Sequence, residues 1–190
     1  MEVVSQQKSL NKAIIAIKKG EIIICPTDTV YGFLADASNK RAVDKIYKIK
    51  KRAKSKPLPL FISNIKKAKE LSEINKDQEK ILEKYWPGKY TFIFRRRKKL
   101  KLYDGAKDTI ALRLPKYRFL KNLLKKIGAP LVQTSVNISN KPSLTTIDDI
   151  IKEFGKNKDV GLIIDGGSLS KNKPSVIIDL TKEKIKILRK

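Results

Sequence analysis

The chain has 190 residues, of which 44 are lysine or arginine and 19 are aspartate or glutamate, so its formal net charge at neutral pH is +25. It contains no histidine, which excludes Ser-His-Asp and Cys-His mechanisms and histidine-based metal sites. Cys25 is the only cysteine, which excludes an intrachain disulfide, and no stretch approaches the roughly 20 apolar residues that cross a bilayer.

The first part of the chain is predicted to alternate helices and strands. Apolar residues at helical spacing predict a helix that ends near Gly20, where a C-terminal glycine is typical. Residues 21–25 are predicted to form a buried strand, which Pro26 ends because proline has no amide proton. Asn39 is predicted to cap a second helix that runs to residues 50–52.

The remaining elements follow from the same patterns. Helical periodicity is found at residues 65–71, 77–85, 116–127 and 146–154. Alternating or short apolar runs predict strands at residues 57–62, 90–94, 109–113, 130–134, 160–164, 175–180 and 185–188. This mixture, with several hairpin-like connections, predicts an α/β fold built on a twisted, mixed, open sheet with flanking helices.

Length and charge lead to further expectations. A chain of this length with 41% hydrophobic residues is expected to form one domain over residues 1–190. The amino terminus has no signal-peptide pattern, so we expect a cytoplasmic location and no membrane partner. The positive charge favours an anionic partner such as tRNA, although a scattered lysine excess is also what adaptation to heat produces.

The segment 25–32, Cys-Pro-Thr-Asp-Thr-Val-Tyr-Gly, directly follows the first predicted strand. It presents two threonine hydroxyls, a carboxylate and a phenol at the position where open α/β sheets bind ligands. The alternative is a turn whose threonine and aspartate side chains satisfy backbone groups. From this segment alone, both interpretations stay open.

Other polar residues follow other predicted elements. Lys50, Arg52 and Lys56 lie at and after a helix C-terminus, where they suit phosphate or carboxylate oxygens but also the helix dipole. Thr134, Ser135 and Asn137, at the end of a predicted strand, offer two hydroxyls and an amide that suit a ribose or a triphosphate, or a turn cap. Each of these groups therefore has a binding interpretation and a structural one.

Two further basic features have alternatives of the same kind. Arg113 ends a predicted strand and is a natural partner for a substrate carboxylate, with a surface salt bridge as the equal alternative. The basic run 95–99 has no interleaved aromatic residues, so it is interpreted as a solvated strand end or a phosphate-contacting patch.

The chain offers no pairing of a nucleophile with a base and no Walker-type phosphate loop. Any chemistry would then depend on positioning and electrostatics. This favours a reaction in which the substrates attack one another.

Six segments carry a resemblance that covers nearly the whole chain. They are Pro-Thr-Asp-Thr-Val-Tyr-Gly at 26–32, Lys-Lys-Arg at 50–52, Trp-Pro-Gly-Lys-Tyr-Thr at 86–91, Ser-Val-Asn at 135–137 with Ser139, Pro-Ser-Val-Ile-Ile-Asp at 174–179 and Ile-Leu-Arg at 187–189. In this order they closely resemble the motifs of the YrdC/TsaC family of L-threonylcarbamoyladenylate synthases. The resemblance is to the short, single-domain form of that family.

The resemblance implies a YrdC-like fold with a large basic concave cavity. It also implies a reaction in which L-threonine, bicarbonate and ATP give threonylcarbamoyl-AMP and pyrophosphate, with Mg²⁺ that accompanies ATP and has no dedicated protein ligand. The product then serves the N6-threonylcarbamoylation of tRNA by separate downstream threonylcarbamoyl-transferase proteins. A direct contact between this chain and tRNA stays open.

The resemblance also implies roles for individual residues. The residues expected at the L-threonine site are Thr29, Arg113, Ser135 and Ser175. Those expected to bind ATP are Arg52, Lys56, Thr109, Asn137, Thr145 and Arg189. Lys50 and Arg52 are the expected catalytic pair, because their charges suit the neutralisation of phosphate oxygens.

The loop residues around Thr29 have expected roles as well. Thr27 and Tyr31 are expected to shape the wall beside Thr29. Asp28 is expected to order the loop rather than to act as a base, since the proposed chemistry asks little proton transfer of the protein.

Four positions depart from the family pattern. Lys56 stands where long-form members usually have asparagine, and Phe61 where they have a threonine-contacting histidine. Lys89 replaces a proline, and Val176 replaces a threonine.

Two alternatives come from other functional classes. One is a non-catalytic YrdC-like protein that binds double-stranded or structured RNA. The other is a carbamoyl-transfer domain of a larger hydrogenase-maturation protein, against which the missing zinc-finger and acylphosphatase-like regions argue. The presence of Lys50, Arg52, Ser135 and Asn137 together favours the enzyme.

Overall fold

The computed structural model describes residues 1–170, 173–182 and 184–189. The α-helices in this part of the chain are α1 (Leu10–Lys18), α2 (Lys40–Ile49), α3 (Ile65–Leu71), α4 (Lys76–Tyr85), α5 (Arg118–Ile127) and α6 (Ile147–Phe154). The strands are β1 (Glu2–Ser5), β2 (Ile22–Cys25), β3 (Gly32–Asp36), β4 (Leu60–Phe61), β5 (Ser72–Glu73), β6 (Tyr90–Arg96), β7 (Thr109–Arg113), β8 (Leu131–Ser135), β9 (Val160–Asp165), β10 (Val176–Asp179) and β11 (Lys186–Arg189).

The described strands form one sheet in the order β1-β9-β2-β3-β8-β4-β7-β6-β10-β11, and β5 pairs with β6 at the side. Four pairs are parallel, namely β1 with β9, β2 with β9, β4 with β7, and β6 with β10. The other pairs are antiparallel, and the edge strands β1 and β11 do not meet. The predicted α/β fold with an open mixed sheet and flanking helices is therefore confirmed.

Local signals in the sequence account for the helix ends. The Asn39 side chain accepts a hydrogen bond from the amide of Ala42 at 3.1 Å and so caps α2, as predicted. Helix α5 ends at Gly128, whose φ of +75° lies in the left-handed region that glycine adopts without strain. No helix in the described ranges is both long and apolar enough to cross a membrane.

Three strands were not predicted, and a fourth is shorter than expected. Strand β3 begins at Gly32, the last residue of the 25–32 segment, and its first four residues are all buried, so they show no alternation. Strands β1 and β5 depend on pairing with distant residues, and β1 is mostly exposed. Of the predicted strand 57–62, only Leu60 and Phe61 form strand β4, and the prolines at 57 and 59 cannot donate to a ladder before it.

The helices cover the two faces of the sheet unequally. Apolar residues of α2, α3, α4 and α6 pack on one face in a large core cluster. On the other face, α1 and α5 pack over β2, β3, β8, β9 and Phe61 of β4 in a second cluster. No helix of the second cluster covers β6, β7 or β10 on that face, within the described residues. This uncovered part of the sheet is where the cavity lies.

Candidate active site

A cavity of about 490 Å³ opens over strands β6, β7 and β10. Alternate residues of these strands line it, and the list is Thr91 and Ile93 of β6, Thr109, Ala111 and Arg113 of β7, and Ile177 of β10. The residues between them, such as Phe92 and Leu112, are buried in the core cluster on the opposite face. The alternation of side chains along a strand therefore separates the site from the core.

The lining of this cavity carries positive charge. Its cationic side chains are Lys50, Lys51, Arg52, Lys56, Arg113 and Arg189. No aspartate or glutamate lines it in the part of the chain that the structure describes. A lining with this excess of positive charge attracts anionic ligands and raises their local concentration.

The structure brings together nearly all the residues expected at a site. Ten of them line the cavity, namely Thr29, Lys50, Arg52, Lys56, Thr109, Arg113, Ser135, Asn137, Ser175 and Arg189. Thr145 does not line it, and its backbone carbonyl accepts a hydrogen bond from the amide of Leu169 at 2.9 Å.

Arg113 joins strand β7 to the 26–32 loop. Its Nη2 donates to Oδ1 of Asp28 at 2.6 Å, and its Nη1 donates to Oγ1 of Thr29 at 3.2 Å. The second carboxylate oxygen of Asp28 accepts from the amide of Lys116 at 2.9 Å. Burial lowers the pKa of Arg113, while the Asp28 charge acts in the opposite direction. Arg113 thus forms a buried ion pair rather than the surface salt bridge considered above, and Asp28 orders its loop as expected.

Thr27 and Tyr31 hold the same loop at two other points. Oγ1 of Thr27 accepts from the amides of Thr29 and Val30 at 3.0 and 3.2 Å and donates to the carbonyl of Val30 at 2.7 Å. The phenol of Tyr31 donates to the carbonyl of Gly167 at 2.7 Å and accepts from the amide of Gly166 at 3.0 Å. Neither Thr27 nor Tyr31 lines the cavity, so both support the wall from behind.

Lys50 organises the segment after β8. It is 2% exposed, and its Nζ donates to the carbonyls of Ser135 and Asn137 at 2.5 and 2.8 Å and to Oδ1 of Asn137 at 2.8 Å. Oγ of Ser135 donates to the same amide oxygen at 2.7 Å. Burial, and then the charge of Arg52, lower the pKa of Lys50 to about 7. The ammonium is therefore a buried charge beside the cavity with neutral oxygens as its partners.

Arg52 lies at the cavity rim and is held by backbone carbonyls. Its Nε donates to the carbonyl of Lys56 and its Nη2 to the carbonyl of Pro57, each at 3.0 Å. Burial lowers its pKa. These bonds fix the plane of the guanidinium, and its remaining N–H groups are the ones that suit an anion.

Arg189 closes the cavity from the last strand. Its Nε and Nη2 donate to the carbonyl and Oγ of Ser175 at 2.9 and 3.2 Å, and Oγ of Ser175 lies 2.8 Å from Oγ1 of Thr91. Burial, followed by the charges of Arg113 and Arg52, lowers the pKa of Arg189. Three arginines from distant parts of the chain therefore influence one another across the same cavity.

Two polar lining residues were missed. Thr91 and Gln133 line the cavity but were not singled out in the sequence, whereas Thr134 and Ser139, which belong to the polar segment and the motif after strand β8, line it as well. Thr91 could have been found, because side chains alternate along a strand and the apolar Phe92 and Phe94 mark the core face of β6. Thr91 then lies on the other face. Gln133 lies in strand β8, whose first four residues are all buried, so periodicity does not separate its two faces.

Two of the departures from the family pattern lie in or beneath the site. Lys56 lines the cavity and adds a charge to its rim. Phe61 does not line it, but the guanidinium carbon of Arg113 lies 5.4 Å from the centre of its ring. A cation facing an aromatic ring is stabilised there, so Phe61 supports Arg113 from below.

The described residues contain no cluster of side chains that would bind a metal ion. No group of three or more cysteine, aspartate or glutamate side chains in residues 1–170, 173–182 and 184–189 is arranged to hold a metal ion. The oxygens that line the cavity belong to hydroxyl and amide groups.

Comparison with known proteins identifies the family. The family model Sua5/YciO/YrdC, described as "Telomere recombination", matches residues 15–190. The chain belongs to this family. The open mixed sheet described above is likewise that of solved structures of this family.

Individual members of the Sua5/YciO/YrdC family are similar over most of this chain. A putative threonylcarbamoyl-AMP synthase of Methanocaldococcus jannaschii is 40% identical over 91% of this chain and 81% of its own length. The structure of Pyrococcus abyssi Sua5 complexed with L-threonine superimposes with a TM-score of 0.90 at 29% identity and covers all of this chain, which spans 57% of that protein. Escherichia coli YciO superimposes with a TM-score of 0.87 at 26% identity, over 99% of this chain and 92% of its own.

Proposed function

We propose that this protein is a threonylcarbamoyl-AMP synthase, which joins L-threonine, bicarbonate and ATP into threonylcarbamoyl-AMP and pyrophosphate. The observation that carries the proposal is the cavity itself, where six cationic side chains, of which only Arg113 pairs with a described carboxylate, line the same space as several hydroxyl-bearing side chains. The M. jannaschii relative bears the name of this activity, and the P. abyssi relative was solved with L-threonine.

The cavity has two regions of different chemistry. Thr29, Arg113 and Ser175, with Thr91, combine a guanidinium with hydroxyl groups and suit the carboxylate and hydroxyl of threonine. Ser135, between the two regions, is assigned to the threonine site. The residues assigned to ATP are Arg52, Lys56, Thr109, Asn137 and Arg189. Thr145 lies outside the cavity lining, so its proposed contact with ATP requires that part of the nucleotide extends beyond the lining.

The reaction needs little acid-base help from the protein. The threonine amine and bicarbonate form a carbamate with loss of water, and a carbamate oxygen then attacks the α-phosphorus of ATP while pyrophosphate leaves. The protein aligns the carbamate with the phosphorus and neutralises the charge that develops on the leaving oxygens. Arg52 and Lys50 supply that charge, Arg52 at the rim and Lys50 beside the Ser135–Asn137 segment.

Mg²⁺ enters this proposal as the counter-ion of the ATP phosphates. Mg²⁺ prefers oxygen ligands and keeps several waters, and it commonly binds through substrate phosphates. The described lining offers hydroxyl and amide oxygens but no carboxylate, which fits a metal that arrives with the nucleotide. With ATP bound, the ion would further neutralise the triphosphate.

The proposal includes a setting for the enzyme. We treat residues 1–190 as a single YrdC-like unit, because the described strands belong to one sheet. We propose that the product passes to downstream threonylcarbamoyl-transferase proteins that modify tRNA, and that the reaction takes place in the cytoplasm. The RNA-binding alternative is not favoured, since binding of a phosphate backbone does not require the hydroxyl groups of Thr91, Thr109 and Ser175 inside the cavity.

Replacement of Arg52 tests the proposal. Arg52→Ala should abolish threonine-dependent release of pyrophosphate from ATP while the protein remains folded by circular dichroism. The matched control is Arg97→Ala, because Arg97 is exposed and does not line the cavity. Wild-type activity in Arg52→Ala would exclude the assignment of this residue, and equal loss in both variants would exclude a specific role for the cavity.

A further inference from the structure

The basic run 95–99 is not uniform, because Arg96 points into the protein. The Arg96–Asp104 ion pair is buried, with side chains 6% and 1% exposed, and joins Nη1 to Oδ1 at 2.7 Å. Nη1 of Arg96 also donates to the carbonyl of Ala106 at 2.7 Å. Arg96 therefore holds the 97–108 loop, of which Ala106 lines the cavity, rather than facing solvent or phosphate.

Tyr47 connects this loop to the segment that carries Arg52. Its single phenol O–H is shared between two backbone acceptors, the carbonyl of Asp104 at 2.9 Å and, at the longer distance of 3.3 Å, the carbonyl of Lys56. The amide of Leu58 donates to the same Asp104 carbonyl at 2.7 Å. A Cβ at Gly105 would collide with the Tyr47 hydroxyl, so the two segments are packed against each other.

The carbonyl of Lys56 is the acceptor that Tyr47 and Arg52 share. Nε of Arg52 donates to it at 3.0 Å, and Nη2 donates to the next carbonyl, that of Pro57. The position of these two carbonyls sets the plane of the guanidinium. The position of the carbonyls is in turn fixed, through Tyr47 and Asp104, by the buried Arg96.

We propose that Tyr47, anchored by the Arg96–Asp104 pair, is a positioning residue that aims Arg52 at the polyphosphate of the nucleotide. It touches no substrate and acts through the Lys56 carbonyl. Since the threonine region is held by a separate network around Arg113 and Asp28, the effect of Tyr47 is confined to the nucleotide. The inference rests on the proposed function, in which Arg52 binds ATP.

The test removes one hydroxyl group. Tyr47→Phe keeps the ring, which is buried in the core, and deletes only the bridge. Its Kd for ATP, measured by calorimetry without threonine, should rise about fivefold, the effect of losing one hydrogen bond between neutral groups. The KM for ATP should rise equally, and the KM for threonine should stay at the wild-type value.

The matched control is Tyr117→Phe. Tyr117 also loses one hydroxyl hydrogen bond, to Oε1 of Gln6 at 2.7 Å, but it does not line or support the cavity. Any general loss of stability affects both variants, whereas weaker ATP binding should appear only in Tyr47→Phe. In an Arg52→Ala background, Tyr47→Phe should weaken ATP binding no further.

The outcomes separate this inference from the proposed function. Wild-type ATP affinity in Tyr47→Phe, an equal loss in Tyr117→Phe, or a full additional loss in the Arg52→Ala background would each overturn it. If Tyr47→Phe does not fold, Arg96→Lys serves instead, because a shorter side chain with one nitrogen cannot reproduce the bonds of Nη1 to Asp104 and Ala106 together with that of Nη2 to Leu102. Absence of threonine-dependent turnover in the wild type would overturn the proposed function. The ATP affinities of wild type, Tyr47→Phe and Tyr117→Phe would still decide the role of Tyr47.

Discussion

Arg113 and Asp28 form an ion pair inside the protein, with Nη2 and Oδ1 2.6 Å apart and side chains that are 2% and 8% exposed. The pair connects the end of strand β7 to the loop that follows strand β2. It orients the guanidinium so that Nη1 reaches Thr29, on the cavity wall. An arginine held in this way presents a fixed charge to a ligand without reorganisation when the ligand binds.

Asp28→Asn should destabilise the protein by about 3 kcal/mol, because it leaves the buried Arg113 charge uncompensated. An amide also has a single acceptor oxygen for the two donors that Asp28 serves, Arg113 and the amide of Lys116. Urea unfolding monitored by circular dichroism measures the loss. The control is Asp44→Asn, whose exposed pairs with Lys40 and Lys54 should cost less than about 1 kcal/mol. Equal effects of the two substitutions would contradict the importance of burial.

Ser175→Ala and Thr109→Val should affect different substrates. Both remove one hydroxyl group from the cavity lining. Ser175 belongs to the proposed threonine region and Thr109 to the proposed ATP region. Ser175→Ala should raise the KM for threonine about tenfold, and Thr109→Val should raise the KM for ATP by a similar factor. Steady-state kinetics with each substrate varied in turn checks this. A reversed or uniform pattern would show that the two regions have been assigned wrongly.

Lys50 should make stability depend on pH. Its pKa is about 7 in the folded protein against an ordinary value of 10.5, so between these values the unfolded chain binds more protons. The free energy of unfolding therefore gains a contribution that rises with pH in this window, by at most about 1.4 kcal/mol per pH unit. Lys50→Met removes the contribution. The free energy of unfolding of the wild type minus that of the variant should therefore rise with pH in this window. A constant difference would mean that the three carbonyl acceptors keep Lys50 protonated.

Much of the fold was predictable where local signals were strong. Helix α2 has an asparagine cap and a clear apolar face, and α5 ends at a left-handed glycine. Strand β3 could not be predicted, because it is short, buried on both faces and stabilised by β2 and β8 rather than by its own pattern. Strand β1 likewise depends on residues of β9 that lie far along the chain.

The site was predictable as a set of residues but not as a set of contacts. Motif resemblance selected ten residues that line one cavity. The resemblance did not indicate that Lys50 donates hydrogen bonds to carbonyl oxygens after β8, or that Asp28 pairs with Arg113. Both contacts depend on packing between distant segments. Arg96 could not be distinguished from its neighbours in a uniformly basic run, although it alone forms the buried pair with Asp104.

Formation of the adenylate from labelled bicarbonate tests the central claim most directly. The protein is incubated with ATP, Mg²⁺ and isotopically labelled bicarbonate, with and without L-threonine, and the products are identified by mass spectrometry. The account predicts threonylcarbamoyl-AMP that carries the label, with an equal amount of pyrophosphate, only when threonine is present. Pyrophosphate release that does not depend on threonine, or the absence of any labelled adenylate from folded protein, would contradict it.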